Sequence, residues 1–339
     1  MRAPSFWWRE RSVAAAALAP LARIYDAVAT RRLARPGESI GTPVLCIGNP
    51  TVGGAGKTPT AIAVARLLSA ADERPVFLTR GYGGRLAGPV VVDARVHRAR
   101  DVGEEPLLLA QTAPTVVARD RLAGARVAQA AGASVIVMDD GFQNPALAKD
   151  LSVLVIDARR GIGNGRVLPA GPLRAALGPQ LERAQALLVI GGEAGAPAVA
   201  EAAQARGLAL FHGRLVPDAT AVAALKGRQV LAFAGIGDPD KFFATLAEAG
   251  IDAPACRGFP DHHRYGAIDA ATLMAQADRY GLTLVTTEKD LLRFRGDRAV
   301  GPLSARARAL PVALAVEEAD RFRRFVLDGV SKPRFTIGA

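Results

Sequence analysis

The sequence predicts an α/β protein: a mostly parallel sheet unit, then a second, smaller α/β unit, with a helical segment ahead of both. Three observations carry that expectation. Short apolar runs alternate with helix-length segments along most of the chain, as in parallel sheets covered by helices. The stretch Val44 to Leu68 reads as strand, glycine-rich loop and helix. Around Val216-Pro217-Asp218 the alternation restarts. The expected units are residues 1–35, an N-terminal amphipathic helix; 36–215, a P-loop NTPase-like α/β unit; and 216–339, a smaller C-terminal α/β unit.

At 339 residues the chain is long enough for two domains. Half its residues are apolar and 22% are charged, which favours a packed core over disorder. The 43 Lys and Arg against 32 Asp and Glu give a net charge of +11, suited to phosphates, nucleic acid or an anionic membrane face. Cys46 and Cys256 have no CxxC partner, so neither a disulfide nor a Cys-rich zinc site is expected, and the balance points to the cytosol.

The first segment carries both tryptophans, in Phe6-Trp7-Trp8, with Arg9 and Arg11 beside them. Aromatic rings next to cations suit the headgroup layer of a bilayer. The uncharged stretch Ser12 to Ala22 contains Pro20 and is about half the length of a spanning helix. A helix lying on a membrane is therefore expected rather than one crossing it, with packing onto the protein body as the alternative. Export is not expected, because a nucleotide loop follows.

That loop is Thr51-Val52-Gly53-Gly54-Ala55-Gly56-Lys57-Thr58. Its backbone N–H groups, at the start of a helix, suit an anion. Lys57 supplies a point charge for the β/γ-phosphates, and the Thr58 hydroxyl can ligate Mg²⁺. Thr51 stands where the usual pattern has its first Gly, so this is a variant phosphate loop.

Pro75 to Thr79 reads as the next strand and leads into Arg80-Gly81-Tyr82-Gly83, a loop at a strand C-terminus, where such sheets carry function. Gly103-Glu104-Glu105-Pro106 opens a helix; its carboxylates can cap that helix or supply a general base. Thr115 to Ala118 is a strand followed by Arg119-Asp120-Arg121. The run Ser134 to Met138 closes on Asp139-Asp140, where a phosphate-loop protein holds Mg²⁺ or orders its water shell. Adjacent strand side chains diverge, so the two carboxylates are not expected to share one role. Further strands are read at 151–157, 186–190 and 208–212, with the turn Pro169-Ala-Gly-Pro-Leu-Arg174 presenting a guanidinium. After 216 come strands at 229–234 and 283–287 and the loop Phe259-Pro-Asp261-His262-His263, in which Asp261 can orient an imidazole. No further ligands stand at metal-site spacing around these histidines.

The ordered set of Thr51 to Pro59, Arg80-Gly-Tyr82-Gly, Gly103-Glu-Glu-Pro106, Asp139-Asp-Gly-Phe-Gln143, Pro169 to Arg174, Phe259-Pro-Asp-His262 and Thr287-Glu-Lys-Asp290 resembles the tetraacyldisaccharide 4′-kinase family of lipid A synthesis. The resemblance implies transfer of the ATP γ-phosphate, with Mg²⁺, to the 4′-hydroxyl of an acylated glucosamine disaccharide 1-phosphate. It implies two α/β domains with the nucleotide in their cleft, and a peripheral place on the cytoplasmic face of a Gram-negative inner membrane. By position, Lys57 and Thr58 match the phosphate and metal residues, and Asp139 and Asp140 the acidic pair near Mg²⁺. His262 and Glu104 match the catalytic histidine and its acidic partner. Arg80, Tyr82, Arg119 and Arg174 stand where substrate or transition-state contacts are expected.

Two positions depart from the pattern: Glu104 replaces the family's Asp, and Asn144 stands where a His is frequent. The alternative class is a partitioning or regulatory ATPase, whose loop usually carries a second Lys where this chain has Val52. Nucleic-acid binding has only the charge in its favour and no basic aromatic-lined motif.

Overall fold

Thirteen strands organise the chain, as seen in a computed structural model that describes residues 4–192 and 196–331. Residues 1–3 and 332–339, the outer ends of the first and last expected units, lie outside it, as do 193–195. In chain order the strands are β1 Val44–Gly48, β2 Pro75–Thr79, β3 Val90–Val91, β4 Thr115–Val117, β5 Val135–Asp139, β6 Leu151–Asp157, β7 Ala186–Ile190, β8 Ala209–Pro217, β9 Val230–Ala234, β10 Ala255–Gly258, β11 Thr283–Thr286, β12 Arg308–Ala309 and β13 Val312–Val316. Nine form one sheet in the order β13-β8-β7-β6-β1-β5-β2-β4-β3, and four form a second in the order β10-β9-β11-β12. Both sheets are parallel except at the edges of the large one, where β3 and β13 pair antiparallel with β4 and β8.

Every residue of β1, β2, β5, β6 and β7 is buried, which is why these strands read as unbroken apolar runs. Alternate residues serve opposite faces. Cys46, Leu78, Met138 and Leu154 pack into one core; Leu45, Ile47, Phe77 and Val137 pack into the other, against Ala61, Val64 and Leu68 of helix Lys57–Ser69. β1 lies at the centre, between β5 and β6, so the loop after β1 and the carboxylates ending β5 are neighbours at the C-terminal edge. Such a crevice is where open α/β sheets bind ligands.

The boundary expected near 216 needs correction. β8 runs through Pro217, and β13 returns to pair with it, with Val312 opposite Pro217 and Val316 opposite Gly213. Helix Ala319–Ser331 then places Phe322, Val326 and Val330 on the core of the large sheet, with Gly329 against Leu151. The second unit is thus bounded by its own sheet, within residues 230–309, and strand β13 and helix Ala319–Ser331 belong to the first. The physical reason is edge protection: β13 covers a β8 edge that would otherwise expose unpaired backbone groups.

The N-terminal segment is also corrected. It is not one helix but a 3-10 turn Ser5–Trp8 and two helices, Val13–Ala17 and Ala19–Leu33, the second opening with Pro20 in its first turn. Trp7 is buried on the body, its indole N–H donating to Pro169 O at 3.0 Å, and Arg160 lies 5.1 Å from the Trp8 ring. The tryptophans therefore dock the segment to the protein instead of presenting a free aromatic belt. Leu21, Ile24, Tyr25 and Val28 form the exposed apolar stripe. Among the described residues no helix is long and apolar enough to cross a membrane.

Candidate active site

The phosphate loop is shaped by backbone conformations that favour glycine. Gly53 has φ 117° and Gly56 φ 94°, and a Cβ on Gly56 would stand 2.6 Å from Ile190 Cδ1. Buried Asn49 donates to Gly53 O at 3.3 Å, and Val52 N donates to Pro172 O at 2.8 Å. Thr51 is buried and bridges to Leu173, Ala55 is buried, and Gly53 and Gly54 face outward. This leaves the loop open over the N-terminus of helix Lys57–Ser69. Lys57 Nζ donates to Gly53 O at 3.3 Å and lies 3.7 Å from Asp140 Oδ2. Burial draws the Lys57 ammonium down from its ordinary value, and Asp140 opposes that shift.

The two carboxylates after β5 do diverge. Asp139 Oδ2 accepts from the Thr58 hydroxyl at 3.1 Å, while Asp139 Oδ1 is buried with no hydrogen-bond partner. Burial, then Glu105 and Asp140, push its carboxyl up to about 7. Asp140, at φ 56°, turns the other way and receives Arg174 in a fork of 2.7 and 3.0 Å. Burial raises the Asp140 carboxyl, but Lys57 and Arg174 outweigh it and hold it down to about 2. Arg174 also donates to Thr51 O at 3.0 Å, so one guanidinium ties the phosphate loop to the acidic strand end.

The facing wall is assembled from both units. Glu104 opens helix Glu104–Leu109, is 4% exposed, and lies 2.6 Å from His262 Nδ1 through Oε1. Arg293, from helix Glu288–Phe294, donates to the same oxygen at 2.8 Å and also to Asp290 Oδ1 at 2.6 Å and Gly235 O at 2.7 Å. Burial works against the Glu104 charge, but the His262 hydrogen bond and the Arg293 charge hold its carboxyl far below the usual range. The hydrogen bond to Glu104 raises His262 above the ordinary imidazole value, against burial. The additional methylene of Glu104 is thus accommodated in a short contact. Asp261, expected to orient the imidazole, is 3.8 Å from Nε2, beyond hydrogen-bond distance; the carboxylate within hydrogen-bond distance of the ring is Glu104, at Nδ1.

Of the four expected substrate residues, Arg174 lines the site and Tyr82, 64% exposed, lies with its ring 5.0 Å from that of His262. Arg80 and Arg119 are exposed and make no side-chain hydrogen bond among the described residues. Sequence reasoning missed Arg293, which sits one turn beyond the Thr287-Glu-Lys-Asp290 motif. It gave Gln143 no role and missed Gln180; the two join at 3.0 Å and donate to Asn49 O and Pro50 O beneath the loop. It also left Arg121 unassigned, though Arg121 is 3% exposed, bonds Ala118 O and has an unpartnered Nε. Burial of such a cation is a signal that a linear reading does not contain.

The residues at the loop fit a magnesium ion. The orphaned Asp139 Oδ1 beside the Thr58 hydroxyl is the oxygen donor such a hard cation takes. No cluster of three or more His, Cys, Asp or Glu suited to a metal occurs among the described residues. A magnesium ion held mainly by phosphates needs no such cage.

Comparison with known proteins agrees with the geometry. The profile of the family described as tetraacyldisaccharide-1-P 4′-kinase matches residues 14–331. A tetraacyldisaccharide 4′-kinase of Rhodopseudomonas palustris (strain BisA53) is 57% identical over 329 residues, covering 96% of this chain and 95% of that protein. One from Methylobacterium sp. (strain 4-46) is 56% identical over 324 residues, 95% of this chain and 96% of that one. A crystal structure of an "apo" form of LpxK from Aquifex aeolicus in complex with ATP superposes with a TM-score of 0.71 at 26% identity, covering 93% of this chain and 99% of that one.

Proposed function

Since the chain belongs to the tetraacyldisaccharide-1-P 4′-kinase family, we propose that it performs that family's reaction with His262 as proton acceptor and Glu104 as the carboxylate that orients it. The chain is an ATP-dependent lipid kinase that moves the γ-phosphate of ATP to the 4′-hydroxyl of tetraacyldisaccharide 1-phosphate in lipid A synthesis. A partitioning-type ATPase is not favoured by these relatives.

One observation supports the division of roles: Glu104 and His262, 158 residues apart, meet at 2.6 Å across the crevice from the phosphate loop. With Glu104 ionised, Nδ1 carries the hydrogen of that bond, and Nε2 keeps a lone pair for the acceptor hydroxyl. The loop amides and Lys57 hold the triphosphate, and Arg174 fixes the loop relative to Asp140. Thr58 and Asp139 would hold the magnesium ion, which supplies charge neutralisation for the β- and γ-phosphates. In the transfer the 4′-oxygen bonds to the γ-phosphorus and the bond to the bridging oxygen breaks, its electron pair leaving on ADP. The hydroxyl proton passes to His262 Nε2. Arg80, Tyr82 and Arg119 rim the acceptor side in this reading.

The acceptor is a glycolipid, and we place the enzyme as a peripheral protein on the cytoplasmic face of the inner membrane of a Gram-negative bacterium. The stripe Leu21, Ile24, Tyr25 and Val28, 42–66% exposed, supports that placement. A groove of about 880 Å³, lined by Val28, Arg31, Arg32 and Arg35 of that helix and its exit and by Asn144, Pro145 and Ala146, suits an anionic lipid. The test is product analysis: ATP labelled in the γ-position, incubated with tetraacyldisaccharide 1-phosphate, should yield lipid labelled on its 4′-oxygen. Label released only as inorganic phosphate would overturn the reading.

A further inference from the structure

Lys289 is a cation of the smaller unit that the mechanism above leaves unused. It stands in the first turn of helix Glu288–Phe294, and its Nζ donates to Glu105 Oε1 at 2.5 Å across the contact with helix Glu104–Leu109. Glu105 follows directly on Glu104, the carboxylate that holds His262. Lys57 of the larger unit lies 3.7 Å from Asp140, so each sheet unit brings one lysine against a carboxylate of the site: Lys57 to Asp140 and Lys289 to Glu105.

A tie between the units is a weak account of this pair, because desolvating a Lys–Glu pair costs about what its attraction returns, and apolar residues do the same work. Burial draws the Lys289 ammonium down, yet Glu105 outweighs it and keeps it above the ordinary lysine value, so the group stays charged. An ammonium has three donors. Glu105 takes one, and the others have no acceptor among the described residues.

Phosphoryl transfer needs such donors. Charge spreads over the three equatorial oxygens of the γ-phosphoryl as it leaves the loop, more than the one loop lysine, Lys57, can neutralise alone. On the acceptor side stand Glu104 and Glu105, whose charges oppose an approaching phosphoryl group unless a cation intervenes. We propose that Lys289 is a catalytic residue of this kinase, leaving Glu105 to donate to an equatorial γ-phosphoryl oxygen during transfer. Lys289 keeps its protons throughout; the hydroxyl proton still goes to His262 and the electron pair to ADP. The inference rests on the assignment of His262 and Glu104 to the acceptor side.

The test compares full-length wild type with K289M and K289Q. It measures label transfer to tetraacyldisaccharide 1-phosphate, affinity for the non-hydrolysable AMP-PNP, and affinity for ADP with aluminium fluoride and acceptor lipid. Loss of transition-state charge stabilisation lowers kcat by about 10²–10³-fold in both variants. AMP-PNP affinity stays within about threefold, while ADP–aluminium fluoride affinity falls with kcat. A kcat within about fivefold of wild type would overturn the proposal, as would equal loss for both nucleotides. K289Q keeps a donor for Glu105 without the charge, so near-normal turnover in K289Q alone would reduce Lys289 to a tie. Wild-type enzyme and His262→Ala are run alongside: absence of transfer by wild type, or full transfer by His262→Ala, strikes the underlying reading and leaves the Lys289 result separate.

Discussion

Glu104→Gln isolates the charge that poises the active-site imidazole. Glu104 Oε1 is shared by His262 at 2.6 Å and Arg293 at 2.8 Å, and the substitution keeps the shape while removing the charge. A hydrogen bond to a charged group is worth about 1.5–3 kcal/mol, and each 1.4 kcal/mol is about tenfold, so kcat/KM should fall by about 10- to 150-fold. The pH profile carries the sharper signal. His262 must be unprotonated to accept the hydroxyl proton, and its pKa in the folded protein is raised, chiefly by Glu104. The acid limb of wild-type kcat/KM therefore lies above the free imidazole value, and activity drops as pH falls through it. In Glu104→Gln that limb should move to lower pH, because the hydrogen bond that raises the imidazole loses its charged acceptor. AMP-PNP affinity should stay near wild type, because Glu104 lies across the crevice from the loop. Arg293 retains Asp290 and Gly235 O, so folding should survive, at a cost of about 1–3 kcal/mol. An unmoved acid limb, or a loss confined to ATP affinity, would refute the pairing.

Two further outcomes follow from other parts of the structure. Asp139→Asn should abolish transfer and yet stabilise the nucleotide-free protein at pH 8. Burial raises the Asp139 carboxyl, so wild-type stability from this group declines as pH rises from the unfolded value toward about 7. The neutral variant lacks that slope, and thermal melts with and without Mg²⁺ and ATP should show a ligand-induced rise in wild type only. Leu21→Asp with Ile24→Asp should release the protein from anionic vesicles in co-sedimentation, while turnover on detergent-dispersed acceptor is retained, because these residues are 56% and 66% exposed and lie outside the groove lining. Unchanged sedimentation would exclude the stripe as the membrane-facing surface.

The central strands were legible because full burial on both faces writes an unbroken apolar run, and the phosphate loop because glycine is required where φ is positive. β13 and the last helix were not, since an edge strand needs no such run: β13 has an exposed Ala313 and its pairing partner lies about a hundred residues upstream. The tryptophans misled for a related reason. An aromatic flanked by Arg has the same local pattern on a membrane and on a protein face, and only the Trp7 bond to Pro169 O distinguishes them. Within the site, the sequence contained each side chain of the Asp139-Asp140 pair but not which one Arg174 would take; that depends on the reversed backbone at Asp140. Arg293 reaches Glu104 from 189 residues away, a pairing made by the contact of two short helices and visible in no local spacing.

The central claim is that His262, held by Glu104, receives the acceptor proton while the phosphate loop holds ATP. Its most direct test is a single-turnover transfer of γ-labelled phosphate to tetraacyldisaccharide 1-phosphate by wild type and His262→Ala, both saturated with Mg²⁺ and ATP. General-base catalysis contributes about 10²–10⁴-fold, so the variant should transfer that much more slowly while binding AMP-PNP as tightly as wild type. Equal transfer rates would contradict the assignment.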